Sequence, residues 1–215
     1  MELKRAYIDW MVPQTDLKVR MGIQGLALPS FTTNASQIID DDVAAVTLNY
    51  QFNENVGLTA FWARPYNDNS GYKWNGAQDG YQNYMDNMDM FAVLLPLTFD
   101  GVKVTPWVMY AAMGPGMFNE WQHPTKDTKF NGGNAWDRAS TGMVSGFKGT
   151  DPLDSYGNAF WAGVTGEVTY WDPFRIAWDF SYGNVSYDDG SLNRSGWLAG
   201  LLLEIKGDFP SMHEH

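Results

Sequence analysis

The chain has 215 residues, no cysteine and a formal net charge of -11, so it can carry no disulfide framework, thiol chemistry or cysteine-based metal site. Its isoelectric point lies near 4.5, which argues against nucleic acid as a partner, because gripping phosphates needs a basic footprint. There is no run of about 18 apolar residues and so no transmembrane helix. The low mean hydropathy, -0.35, leaves strands that cross a membrane open, since these are apolar only at alternate positions.

The opening "MELKRAYIDWMVP" has no apolar h-region and no small-residue cleavage site, which predicts a cytosolic chain, a mature protein or a fragment. Period-2 alternation then dominates. Leu3 to Val12 reads as a strand, with Ala6, Ile8, Trp10 and Val12 on one face and Arg5, Tyr7 and Asp9 on the other. "PQTD" is a turn. Leu17 to Ala27 is the next strand, and Pro29 to Asp42 a polar loop ending in "DDD". A hairpin follows around "NEN", with Val46, Leu48, Tyr50 and Phe52 on the apolar face of its first strand.

Pro65 to Met88 reads as a long loop. Asp89 to Phe99 and Val102 to Met113 form a hairpin around Asp100-Gly101, a strong two-residue turn signal. Pro96 and Pro106 fall inside these strands, where proline removes a ladder donor, so a bulge or an edge is expected there. Gly114 to Gly157 is a very long loop. Asn158 to Trp171 and Phe174 to Tyr187 are strands joined at Asp172-Pro173; "DDGSLN" and a last strand, Gly196 to Lys206, complete the chain.

The pattern predicts about nine strands of roughly 10–14 residues, longer than the ~5–6 usual in soluble sheets. Connections alternate short and long, as in a transmembrane barrel with tight turns on one rim and long loops on the other. The polar face would carry Arg5, Asp9, Lys18, Arg20, Gln24, Asn49, Gln51, Thr59, Lys103, Thr105, Glu167, Arg175, Asp179, Glu204 and Lys206, with almost no charge on the opposite face. A wall charged on one side and apolar on the other suits a water-filled channel wrapped by lipid, because unpaired buried charge is costly. Trp10, Tyr50, Phe52, Trp62, Phe99, Tyr110, Tyr170, Trp171, Phe174 and Tyr187 lie near strand ends, where interfacial girdles sit.

Enzyme signals are poor: His123, His213 and His215 share no local motif with a nucleophile, and no glycine-rich phosphate loop precedes a helix. Asp179 with Glu167 could be imagined as a glycosidase pair, but pore lining fits them better. Asp40, Asp41 and Asp42, or Asp188 and Asp189, offer oxygen ligands for a structural calcium ion without a recognised loop spacing.

The segments "AYIDWMVPQTDLKVRMGIQGLALP", "VAAVTLNYQFNENVGLTAFWARPY" and "VKVTPWVMYAAMG" resemble outer-membrane porins, most of all the homotrimeric porins of sulfate-reducing bacteria, from about Leu3 to Lys206. The resemblance implies an all-β, antiparallel up-and-down transmembrane barrel of about sixteen strands in the outer membrane of a Gram-negative bacterium, in contact with lipid bilayer and lipopolysaccharide. It also implies a homotrimer and passive diffusion of ions and small hydrophilic solutes; no cofactor is expected beyond the calcium candidates above. One inward-folded loop would constrict the pore; the candidate is 114–157, with Glu120, Asp127, Asp137, Arg138, Asp151 and Asp154. The excess of acid predicts mild cation preference. The chain is shorter than a full porin, has no signal peptide and ends in "SMHEH", so it reads as an incomplete porin, a single barrel segment over 1–215. The rival expectations are a soluble all-β glycan-binding module using Trp74, Trp121 and Trp136, and a small barrel used as a membrane anchor.

Overall fold

The computed structural model describes residues 4–33, 36, 38–66, 88–113, 156–188, 190 and 193–205. Ten strands follow in chain order: β1 (Ala6–Met11), β2 (Leu17–Ala27), β3 (Asp40–Gln51), β4 (Gly57–Tyr66), β5 (Met88–Leu94), β6 (Leu97–Phe99), β7 (Val102–Met113), β8 (Gly157–Val168), β9 (Phe174–Tyr187) and β10 (Arg194–Ile205). All pairings are antiparallel between chain neighbours, an up-and-down sheet in the order β1-β2-β3-β4-β5-β7-β8-β9-β10, with β6 also on β7. The alternation of the sequence survives in the register: Val46 faces Met21 and Trp62, and Asn49 faces Lys18 and Thr59.

Two expectations need correction. The strand expected over Asp89 to Phe99 breaks into β5 and β6, because Pro96 has no N–H to give the ladder. The gap is bridged on both sides: Leu95 N–H donates to the Pro106 carbonyl at 3.0 Å, and Gly57 N–H to the Pro96 carbonyl at 2.9 Å. The two fragments therefore occupy one lateral position. Second, the sheet is open rather than closed into a barrel. Among the described residues nothing pairs with the free edges of β1 and β10, and these two strands run in the same direction.

The β1–β2, β3–β4, β6–β7 and β8–β9 connections are short and share one rim; the other four lie at the opposite rim, where 67–87 and 114–155 are outside the described residues. The Asp100-Gly101 turn is as expected, with Gly101 at φ 68°. Gly22 has a different task. It sits in mid-strand at φ 129°, and a Cβ there would lie 2.3 Å from the Ala6 carbonyl oxygen and 2.7 Å from Tyr7 Cα. Gly22→Ala is therefore expected to destabilise the β1–β2 pair by roughly 1–3 kcal/mol, the cost of an L-residue held in a disfavoured backbone region. Hydrogen exchange would show the loss as faster exchange confined to the amides of β1 and those of β2 that face it.

The concave face of the sheet holds the core. Phe61, Ala63, Met88, Met90, Trp107, Met109, Ala111, Met113, Ala159, Trp161, Val185 and Tyr187 are buried there, joined by Leu28, Ile38 and Ile39 from the β2–β3 connection. This connection does not stay at the rim: its residues 30–32 reach β9, about 150 positions away in sequence, and curl the sheet around them.

Candidate functional site

Register divides the concave face into two layers. The half next to the short turns is polar and holds most of the residues expected to line a channel. Lys18 and Arg20 both reach Asp9, at 2.9 and 2.6 Å, and the Tyr7 ring lies 3.9 Å from the Arg20 guanidinium. Thr59 hydrogen-bonds Asn49 at 2.9 Å. Gln51 binds the carbonyls of Asn53 and Val56 and closes the turn behind β3. Gln24, deeper and buried, donates to the Ala45 carbonyl at 3.0 Å and accepts from Thr47 at 3.1 Å.

Across the concavity, Glu167 receives Lys103 at 2.9 Å and Arg175 at 2.8 Å, and Arg175 also meets Glu204 at 3.1 Å. Thr105 and Thr165 face one another in the same layer. Of the charged groups in this layer, Lys18, Arg20, Lys103 and Arg175 stand against Asp9, Glu167, Asp179 and Glu204, four against four. The described wall is thus balanced in charge, and any cation preference would have to come from elsewhere. Lys206 and the expected constriction residues Glu120, Asp127, Asp137, Arg138, Asp151 and Asp154 lie outside the described residues, as do Trp74, Trp121 and Trp136.

The half next to the long connections is apolar and dry, which alternation did not reveal. The sequence carries its signal: "MDMFAVL" in β5 and "PWVMYAAM" in β7 are apolar at nearly every position, so the inward residues there are apolar and buried while the outward ones are apolar and exposed. Trp161 is 1 % exposed, and its indole N–H has no hydrogen-bond partner among the described residues.

Asp179 organises the junction of the two layers. It accepts the Ser30 hydroxyl at 2.6 Å, the Phe31 N–H at 3.0 Å and the Thr32 N–H at 3.0 Å. The hydroxyls of Thr32 and Thr165 also donate to it. Arg175 adds a bond to the Phe31 carbonyl at 3.1 Å. Asp179 and Glu167 therefore serve different partners: Asp179 carries neutral donors and Glu167 carries cations. A cavity of about 600 Å³ remains beside the segment, lined by Ser30, Phe31, Thr32, Thr33, Arg175, Leu202, Leu203 and Glu204.

The convex face is the sheet's other surface. Its apolar run covers nine residues on strand after strand: Ala44 to Phe52 along β3 and its turn, Val102 to Tyr110 on β7, Phe160 to Val168 on β8, Phe174 to Tyr182 on β9 and Trp197 to Ile205 on β10. Leu48, Phe91, Val93, Val108, Phe180 and Leu201 on this face stand exposed. Trp10, Phe52, Phe99, Tyr170, Trp171 and Phe174 ring the short-turn rim, each more than half exposed; Tyr50 packs edge-on to Phe52 at 4.9 Å. Higher up, Trp62 donates to Asp89 at 2.8 Å and Tyr110 to Asn158. Tyr187 does not belong to this set: its parity turns it inward, where its ring covers Gly157.

The convex face is also not free of charge. Arg64 grips Asp89 with two bonds, at 2.9 and 2.7 Å, and Arg5 pairs with Asp42 at 2.6 Å. Arg5, expected on the polar face, precedes β1 and swings its guanidinium over Gly25, which points to the convex side. Both pairs lie at the long-connection end, above the apolar run. Asp40, Asp41 and Asp42 belong to β3 rather than to a loop tip. Alternation sends Asp41 to the face opposite Asp40 and Asp42, and no metal-holding cluster of acidic or histidine side chains occurs among the described residues.

Fold and faces together define an all-antiparallel, up-and-down β wall with one apolar convex surface and one layered concave surface. No family model, curated protein or solved structure matches the chain.

Proposed function

We propose that this chain forms the major part of the wall of an outer-membrane diffusion channel of the porin type, passing ions and small hydrophilic solutes. The observation that carries this reading is the convex face. A transmembrane β-strand needs about 9–11 tilted residues to cross the hydrocarbon, and the apolar run is nine residues long on five lateral positions, bounded by aromatics below and polar groups above. A soluble monomer seldom exposes an apolar patch beyond a few hundred Å². The polar half of the concave face supplies hydrogen-bonding groups that replace part of a solute's hydration. The setting that follows is a lipid bilayer with lipopolysaccharide outside, a homotrimer, and no enzymatic step.

The test is reconstitution. Refolded into outer-membrane lipid, the protein is expected to give stepwise conductance in planar bilayers and to swell liposomes in small sugars but not in large ones. A protein that stays monodisperse without detergent and has no affinity for lipid would sink the membrane reading and leave the glycan-binding module. The dry half of the concave face favours a second reading, a packed barrel acting as membrane anchor, since small barrels fill their interiors with side chains. Stable insertion with no conductance would select it.

A further inference from the structure

We propose that Asp179 is a latch that holds the strap Ser30–Thr33 inside the concave face, and that the strap so held narrows the water path beside the Arg175 ion pairs. This rests on the channel reading above and adds to it a positioning residue and the element it positions. The candidate loop of the sequence, 114–157, lies almost wholly outside the described residues.

Three consecutive strap residues direct two backbone N–H groups and two hydroxyls at one carboxylate. Hydrogen bonds to an ionised acceptor are about twice as strong as neutral ones, and none of these donors has a ladder strand to pair with. The strap leaves the end of β2 yet is tied to β9, six lateral positions on in the sheet order. It therefore crosses the concavity rather than lining it. Arg175 closes the clamp from below by donating to the Phe31 carbonyl at 3.1 Å while it holds Glu167 and Glu204. The wall is shaped for the strap as well. At Gly200 a Cβ would stand 2.7 Å from Thr32 Oγ1 and 3.4 Å from Thr32 Cβ, so opposite the native threonine only a residue without a side chain leaves the strap room.

The absence of native cysteine makes the contact directly testable. The 3.4 Å between the Cβ positions of residues 32 and 200 is close to the ~3.5–4.5 Å of a disulfide. In lipid-refolded protein the T32C/G200C pair is expected to oxidise readily, and to do so several-fold more slowly when Asp179→Ala is added. Single-channel conductance of Asp179→Ala should rise by about twofold as the cross-section open to hydrated ions widens. Oxidising the cysteine pair in that background should return it to the wild-type value, and reductant should reverse the rescue. Should Asp179→Ala fail to fold, Ser30→Ala added to the cysteine pair, which already lacks the Thr32 hydroxyl, removes the strap's remaining hydroxyl donor and leaves the wall intact, with the same expectations. No cross-link, or one that forms equally fast without Asp179, overturns the latch. Unchanged conductance with a released strap overturns the narrowing. A wild type without current, but with cross-linking that depends on Asp179, would remove the channel reading and the narrowing together while keeping the latch.

Discussion

Leu48→Arg is expected to lower the unfolding free energy of the lipid-inserted protein by about 2–4 kcal/mol, the depth-dependent cost of a cation on the lipid face near the bilayer midplane. Leu48 lies at the centre of the nine-residue apolar run on β3 and is 41 % exposed. If the same leucine faced water, an exposed substitution would change stability by only about ±0.5 kcal/mol. Urea titration of liposome-inserted protein, followed by Trp fluorescence, separates the two values. Asn49→Lys, one residue away on the concave face, supplies the control. It loses the Thr59 hydrogen bond, worth about 1 kcal/mol, and places its charge in the polar layer. A penalty at residue 48 no greater than at residue 49 would exclude a lipid-facing convex surface.

The second large effect is expected at Glu167. Its carboxylate, 10 % exposed, bridges Lys103 and Arg175. Removing one partner of a buried ion pair costs about 3–5 kcal/mol, chiefly because the other charge is left uncompensated. Lys103 is half exposed and Arg175 keeps Glu204, so Glu167→Gln should cost about 3 kcal/mol, at the lower edge of that scale. The same change should alter conduction. Lys103, Glu167, Arg175 and Glu204 sum to zero charge in the wild type and to one positive charge in the variant, so the reversal potential in a salt gradient should move toward anions. Lys103→Met with Glu167→Gln removes one charge of each sign and should bring the potential back. A shift that persists in the double variant would mean that this cluster does not face the conducting path.

Much of the fold was legible because alternation is a local signal. The short turns, the order of the strands and the sides taken by Lys18, Arg20, Asn49 and Glu167 all follow from period 2 and turn chemistry. What alternation cannot convey is depth. It treats Met90 and Thr105 as members of one face, yet the first lies in the dry layer and the second in the polar one. Composition within each strand was the missing guide, since β5 and β7 are apolar on both faces toward their long-connection ends. The strap was invisible for another reason. "LPSFTTN" has the residues of an ordinary surface loop, and its destination is set by a carboxylate on β9. Such a contact is a property of curvature, which no local pattern encodes. Arg5 departs from the alternation because it lies one residue before the paired strand, where a long side chain is free to choose its face.

The common direction of β1 and β10 sets a parity condition on any closed ring built from this sheet. Every lateral step in an antiparallel wall reverses direction, and the path from β1 to β10 has nine lateral positions, so it ends with the sense in which it began. Bonding β1 directly to β10 would introduce a parallel seam. Setting two copies edge to edge about an axis normal to the membrane would introduce two. An all-antiparallel ring is reached only by inserting an odd number of further strands, the first and last of them opposed to both edges. The even totals of bacterial barrels satisfy that condition of themselves. In the channel proposed above, any strands set between the two edges would therefore have to begin and end pointing the other way.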